Sequence, residues 1–140
     1  MTTTALTIRD ELATSITTAF ADASVANPQL GPVVVYPYPA EVISLPAVVF
    51  VPDEPYWVPA RFKDATSPST RLRVNFELQL LVPRTELEEA QKLLELMATT
   101  TIFGLFSAPV ARWDNLGQPS EVDVGDIPVL MAPVSCHAII

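Results

Sequence analysis

Cysteine and histidine each occur once in this chain, as the neighbours Cys136 and His137, and glycine occurs four times. A lone cysteine leaves no internal disulfide framework. Glycines at 31, 104, 117 and 125 are too scattered for a loop that cradles phosphate, and lysine at 63 and 92 alone supplies no Walker-type partner. Long apolar runs are missing too. The longest, such as residues 33–36 and 47–51, fall far short of the ~20 residues that a membrane-spanning helix needs. Eight basic residues stand against sixteen acidic ones, a net charge of −8 that argues against nucleic-acid binding through a broad basic surface. The opening MTTTALTIRDELATS carries charge where a signal peptide would be apolar, so synthesis as an intracellular protein is expected.

Proline, by contrast, is plentiful at 14 residues, which stiffens extended loops and points to ordered arms over flexible linkers. With 140 residues, 49% of them hydrophobic, the chain is sized for a single domain over 1–140 with one core.

The clearest pattern lies in residues 70–82, TRLRVNFELQLLV. Leu72, Val74, Phe76, Leu78, Leu80 and Val82 fall on one face, and Arg71, Arg73, Asn75, Glu77 and Gln79 on the other, the alternation of a strand with one buried side. Beyond Pro83 the period becomes helical over about 86–99. Thr85 and Glu88 stand at capping-box spacing, Glu88 and Lys92 form an i, i+4 pair, and Leu87, Ala90, Leu94, Met97 and Ala98 make a stripe widened by Leu93 and Leu96. A first helix is predicted over 7–23, N-capped by Thr7, with Ile8, Leu12, Ile16, Ala19 and Phe20 inward. Residues 32–38 and 46–51 read as neighbouring strands with prolines at their ends. Residues 102–106 and 110–113 stay apolar but are interrupted by Gly104 and Pro109, 115–119 reads as a turn, and 121–126 as a short strand. A last strand is predicted over 128–140, bulged at Pro133. The order α-β-β-β-α-β predicts an α+β fold: a mostly antiparallel sheet of four to five strands with two helices on one face.

Residues 52–69 form a proline- and aromatic-rich loop or arm that fits neither period. Tyr56, Trp57 and Phe62 in it either fold back as a lid on the core or reach out to a neighbouring subunit. Charge is segregated nearby. Arg61, Lys63, Arg71 and Arg73 hold half of the basic residues, while Asp114, Glu121, Asp123 and Asp126 follow with no base after Arg112. Both could be ordinary solvated surface. The functional alternative is a head-to-tail contact between the basic patch of one subunit and the acidic stretch of the next. Adjacent strand residues point to opposite faces, so Cys136 and His137 do not form a dyad, and Cys136 shares its face with Val134 and Ala138 as a buried thiol. No nucleophile–base set, calcium loop or cofactor motif emerges, and no catalytic, metal or cofactor site is expected.

The leading amphipathic helix, a strand ending in PYP, LPAVVFVP, the PYWVP segment, RLRVNFELQLLVP, a capped helix and a closing strand together resemble the tail terminator (tail completion) proteins of long-tailed bacteriophages. The resemblance rests on element order and texture across nearly the whole chain. It implies a homo-oligomeric, hexameric ring that caps the tail tube protein and docks the head–neck connector protein. Such a protein is assembled in the host bacterial cytoplasm and resides in the virion. DNA passes through the ring without specific binding, in keeping with the chain's acidity, and neither a membrane nor a cofactor is involved. A head–tail connector or stopper is the alternative within the same biology. From other classes, a small enzyme or a ligand-binding module on the exposed sheet face remains.

Overall fold

A computed structural model describes residues 5–59, 72–107 and 111–139. The predicted α+β class and element order hold. Helix α1 (Ala5–Ala23) is followed by a 3-10 turn (Pro28–Leu30), then β1 (Val34–Tyr36), β2 (Ala47–Pro59), β3 (Leu72–Pro83) and α2 (Leu87–Ser107). Strands β4 (Arg112–Leu116), β5 (Ser120–Val124) and β6 (Ile127–Ile139) complete the chain. The sheet has six strands among the described residues, one more than the upper expectation, in the order β1-β2-β3-β6-β4, with β5 also on β6. β1 runs parallel to β2, and all the other pairs are antiparallel.

The alternation of β3 does what its period requires. Val74, Phe76, Leu78, Leu80 and Val82 are buried, facing Ile8, Leu12, Ile16 and Phe20 of α1 and Ala90, Leu94 and Met97 of α2. Leu130, Ala132, Val134, Cys136 and Ala138 of β6 continue this face. Phe76 is fully buried at its centre, edge-on to Phe50 at 6.3 Å and to Tyr56 at 5.8 Å between ring centroids. On the opposite face a smaller cluster of Ala47, Val49, Leu81 and Val129 is covered by Tyr36, Ile43 and Leu45.

Several boundaries differ from the sequence reading. α1 begins at Ala5, so Thr7 lies inside it. α2 does not stop near Thr99 but runs through Gly104 to Ser107. A Cβ at Gly104 would sit 3.0 Å from the Ile16 Cα, so glycine here lets the two helices cross closely at a cost in helix propensity. The first helical bond of α2 goes to the Glu86 carbonyl, from Ala90 N–H at 2.9 Å, which places the cap at Glu86 and not Thr85. Leu87 is exposed, outside the apolar stripe, whereas the Glu88–Lys92 pair forms at 3.1 Å.

β2 continues through Pro52 and Pro55 to Pro59, so the first part of the 52–69 segment is strand. Proline is tolerated there because β1 pairs with residues 47–49 alone, leaving β2 an edge strand beyond them among the described residues. The 115–119 turn is shorter than predicted, since β4 extends to Leu116.

Pro133 is not a bulge. It pairs with Gln79 in unbroken register, and its carbonyl accepts from Gly117 N–H at 2.7 Å. Its proton-less nitrogen therefore points the same way, toward the 117–119 break between β4 and β5, where no ladder donor is required. A Cβ on Gly117 would fall 2.5 Å from the Pro133 ring, so the break is shaped by this contact.

Replacing Phe76 with Ala is expected to cost about 3–5 kcal/mol, read as a lowered urea midpoint; a loss below about 1 kcal/mol would contradict its central packing.

Candidate functional site

The face of the sheet away from the helices carries Arg73, Asn75, Glu77 and Gln79 of β3 beside Ser135 and His137 of β6, all of them half-buried. Two bulges, on opposite edges of the sheet, organise it. In β2 the register jumps from Pro52↔Phe76 to Trp57↔Val74, so residues 53–56 oppose the single residue Asn75. In β4 it jumps from Trp113↔Cys136 to Asn115↔Ser135, leaving Asp114 as the extra residue. A bulge re-aims the side chain it carries, and here it turns Asp114 inward over the polar face.

Asp114 then meets two partners. His137 Nδ1 lies 2.7 and 2.8 Å from its two carboxylate oxygens, and Arg73 Nη2 is 3.7 Å away. Arg73 Nε donates to Asn75 Oδ1 at 2.9 Å, and Asn75 Nδ2 donates to the Pro55 carbonyl at 2.7 Å. Gln79 Nε2 donates to Glu77 at 3.2 Å. One network thus ties the β2 bulge to the β4 bulge across both intervening strands, and it holds these side chains in place before any partner arrives.

The geometry rearranges the sequence-level picture of two separate charged surfaces. Arg73 and Asp114, expected on opposite sides of a subunit contact, pair within one chain. Glu121 pairs with Arg84 at 3.2 Å. Asp123 and Asp126 stand exposed on the β5–β6 hairpin, with no ion pair among the described residues. Arg61, Phe62, Lys63 and Arg71 lie outside the described residues.

The two readings of the aromatic segment divide between neighbours. Tyr56 folds back onto the core, against Phe76, while Trp57 is 61% exposed although its ring touches that of Tyr56. Arg9 of α1, which sequence reasoning did not single out, fixes Tyr56. Its guanidinium lies 4.4 Å from the Tyr38 ring centroid and 5.5 Å from that of Phe76, and its Nη2 donates to the Tyr56 hydroxyl. Arg9 Nε is buried without a hydrogen-bond partner, so the π faces compensate for part of its burial.

Cys136 and His137 do point to opposite faces. Burial, reinforced by the negative charges of Asp114 and Asp53, pushes the Cys136 thiol up to about 12. A thiol so placed stays protonated near neutrality and is a poor nucleophile. Among the described residues, no three His, Cys, Asp or Glu side chains converge as a metal site would require. No described helix is long and apolar enough to cross a membrane. Open grooves lie on either flank of α2: about 790 Å³ beside Asn27 and Gln29, and about 270 Å³ beside Leu116 and residues 117–119.

No family model and no curated protein matches this chain.

Cys136 makes stability pH-dependent in one direction. The folded thiol holds its proton to about pH 12, while the unfolded one releases it near 9, so its contribution is complete below pH 9 and falls by about 1.4 kcal/mol per pH unit above it. Between pH 8 and 10.5 the native chain should lose about 2 kcal/mol more than Cys136→Ala does, measured by urea denaturation. Equal losses in the two proteins would contradict the burial of this thiol.

Proposed function

We propose that this chain is a structural assembly subunit of the tail terminator kind, a protein that forms a homo-oligomeric ring, caps a phage tail tube and joins it to the neck. The observation that carries the reading is the polar sheet face. Arg73, Asn75, Asp114 and His137 are locked to one another and to the β2 bulge, and no described element covers them. A preordered polar surface loses little side-chain entropy when a protein surface docks on it, whereas scattered mobile charges would lose more. The sequence resemblance in element order points the same way, and an acidic ring would let DNA pass without gripping its phosphates. A head–tail connector or stopper would use the same features and differ in its neighbours within the particle.

A second reading draws on one observation. The Asp114–His137 pair is a carboxylate-oriented imidazole, the base-and-orienter half of many hydrolytic sites and also a common element of ligand recognition. The described residues record no hydroxyl or thiol hydrogen-bonded to His137. Thermal stabilisation by a metabolite panel, lost in His137→Ala, would favour this reading.

Negative-stain imaging of the purified chain, alone and with the tube protein of the same virus, tests the assembly reading. Closed rings and tubes of uniform length capped at one end are expected. A chain that neither associates at high concentration nor binds tube ends would overturn it. Removing the network's centre with Asp114→Ala should weaken capping while costing the fold no more than about 3 kcal/mol, the upper end for a hydrogen bond to a charged group.

A further inference from the structure

Exposed aromatic side chains mark both lateral edges of the sheet. Trp57 lies on β2 where that strand has no outer partner among the described residues, and Trp113, 42% exposed, lies on β4, the opposite edge. Register places them at nearly the same height. Trp57 pairs with Val74, which pairs with Ala138, and Trp113 sits two residues along, opposite Cys136. Val74, Ala138 and Cys136 belong to the helix-covered core, so both indoles emerge on the helix side of the sheet. Leu116, opposite Val134, joins Trp113 on that side at 40% exposure, beside the groove of about 270 Å³ along α2.

Charge runs across the same level. Arg112, His137, Asn75 and the β2 bulge form one row over the polar face. Arg112 ends that row on one edge, exposed and without an ion pair among the described residues. Asp53 and Glu54 end it on the other edge, likewise without an ion pair. The two ends are separated by three strand spacings, roughly 14 Å. Opposite charges and apolar anchors thus stand at matching heights on opposite edges, which is the arrangement a rotated copy of the same chain can meet.

We propose that copies of this chain join side by side, head to tail, with Trp57, Asp53 and Glu54 on the β2 edge of one copy seated against Trp113, Leu116 and Arg112 on the β4 edge of the next. The junction rests on the assembly reading above and supplies its missing contact. β2 and β4 run antiparallel to each other in the sheet, but Pro52, Pro55 and Pro59 deny β2 a continuous row of donors. Side chains therefore carry the contact: an indole anchor on the helix side and an ion pair on the polar side. Because donor and acceptor edges differ, the contact is heterologous, and repetition closes into a ring when the rotation permits.

Sedimentation of the full chain and its variants tests the junction, with circular dichroism and urea midpoints confirming that each variant folds. The native chain should form closed oligomers, and Trp57→Ala and Arg112→Glu should each weaken association by about 30-fold or more. Reversing the acids as well, with Asp53→Lys and Glu54→Lys added to Arg112→Glu, should restore it. Mixing the Trp57→Ala and Arg112→Glu chains leaves one intact edge pair, so the mixture should stop at dimers. Variants that retain the native oligomer, or a mixture that builds larger species, would overturn this junction and leave the assembly reading standing. A native chain that stays monomeric at high concentration would also overturn the junction, while its binding to tube ends decides the assembly reading separately.

Discussion

β3 is hydrogen-bonded to β2 on one side and β6 on the other, and every other element takes its position from that double pairing. The strand has no freedom to slip. A shift of one residue would carry Phe76, Leu78 and Leu80 to the wet face and bring Glu77 and Gln79 under the helices, at a cost no local rearrangement could offset. Because β3 is fixed, β6 is aligned by eleven consecutive pairs, and α1 and α2 find one continuous apolar surface spread over three strands. The other face divides in two: the stretch of β3 from Arg73 to Gln79 is polar for the same reason, and the end around Leu81 carries the smaller apolar cluster.

Departures from regular pairing are confined to the flanks, and the polar network is anchored at them. β2 carries a bulge opposite Asn75, and β4 carries one between the levels of Cys136 and Ser135. One bulge presents the Pro55 carbonyl to Asn75, and the other delivers Asp114 to His137 and Arg73. A regular ladder would have held the polar residues parallel and unconnected. The irregular edges convert them into a single bonded surface, with indoles, and charges that make no ion pair among the described residues, left at its two ends.

Where one period ran unbroken, the amino-acid sequence disclosed the structure. The inward stripe of α1 and the alternation of β3 and β6 are local patterns set by burial, and the structure follows them residue for residue except at the margins. Other features depend on contacts that the chain makes with distant parts of itself. α2 passes through Gly104 because Ile16 lies against it, and nothing near residue 104 announces that neighbour. β2 runs through three prolines because, among the described residues, its outer side is unpaired beyond Val49, a property of topology. Asp114 and His137 are 23 residues apart, and the bulge that joins them breaks the very alternation by which β4 could have been recognised. Arg9 reads as one more polar residue of a helix until Tyr38, Tyr56 and Phe76 are placed around it.

The contact between Gly117 and Pro133 has an implication for how such a chain can diverge. The proline ring fills the space a side chain at 117 would need, and at the 117–119 break no strand acceptor is left waiting for a proton from its nitrogen, which makes the proline acceptable. Each residue is the condition for the other, so substitutions at the two positions are expected to be energetically coupled. With the proline in place, any side chain at 117 would force the ring or the backbone to shift. Replacing the proline supplies, in the same step, both a donor for a continuous edge strand and room for side chains along it, and the broken flank could mend into a single long strand.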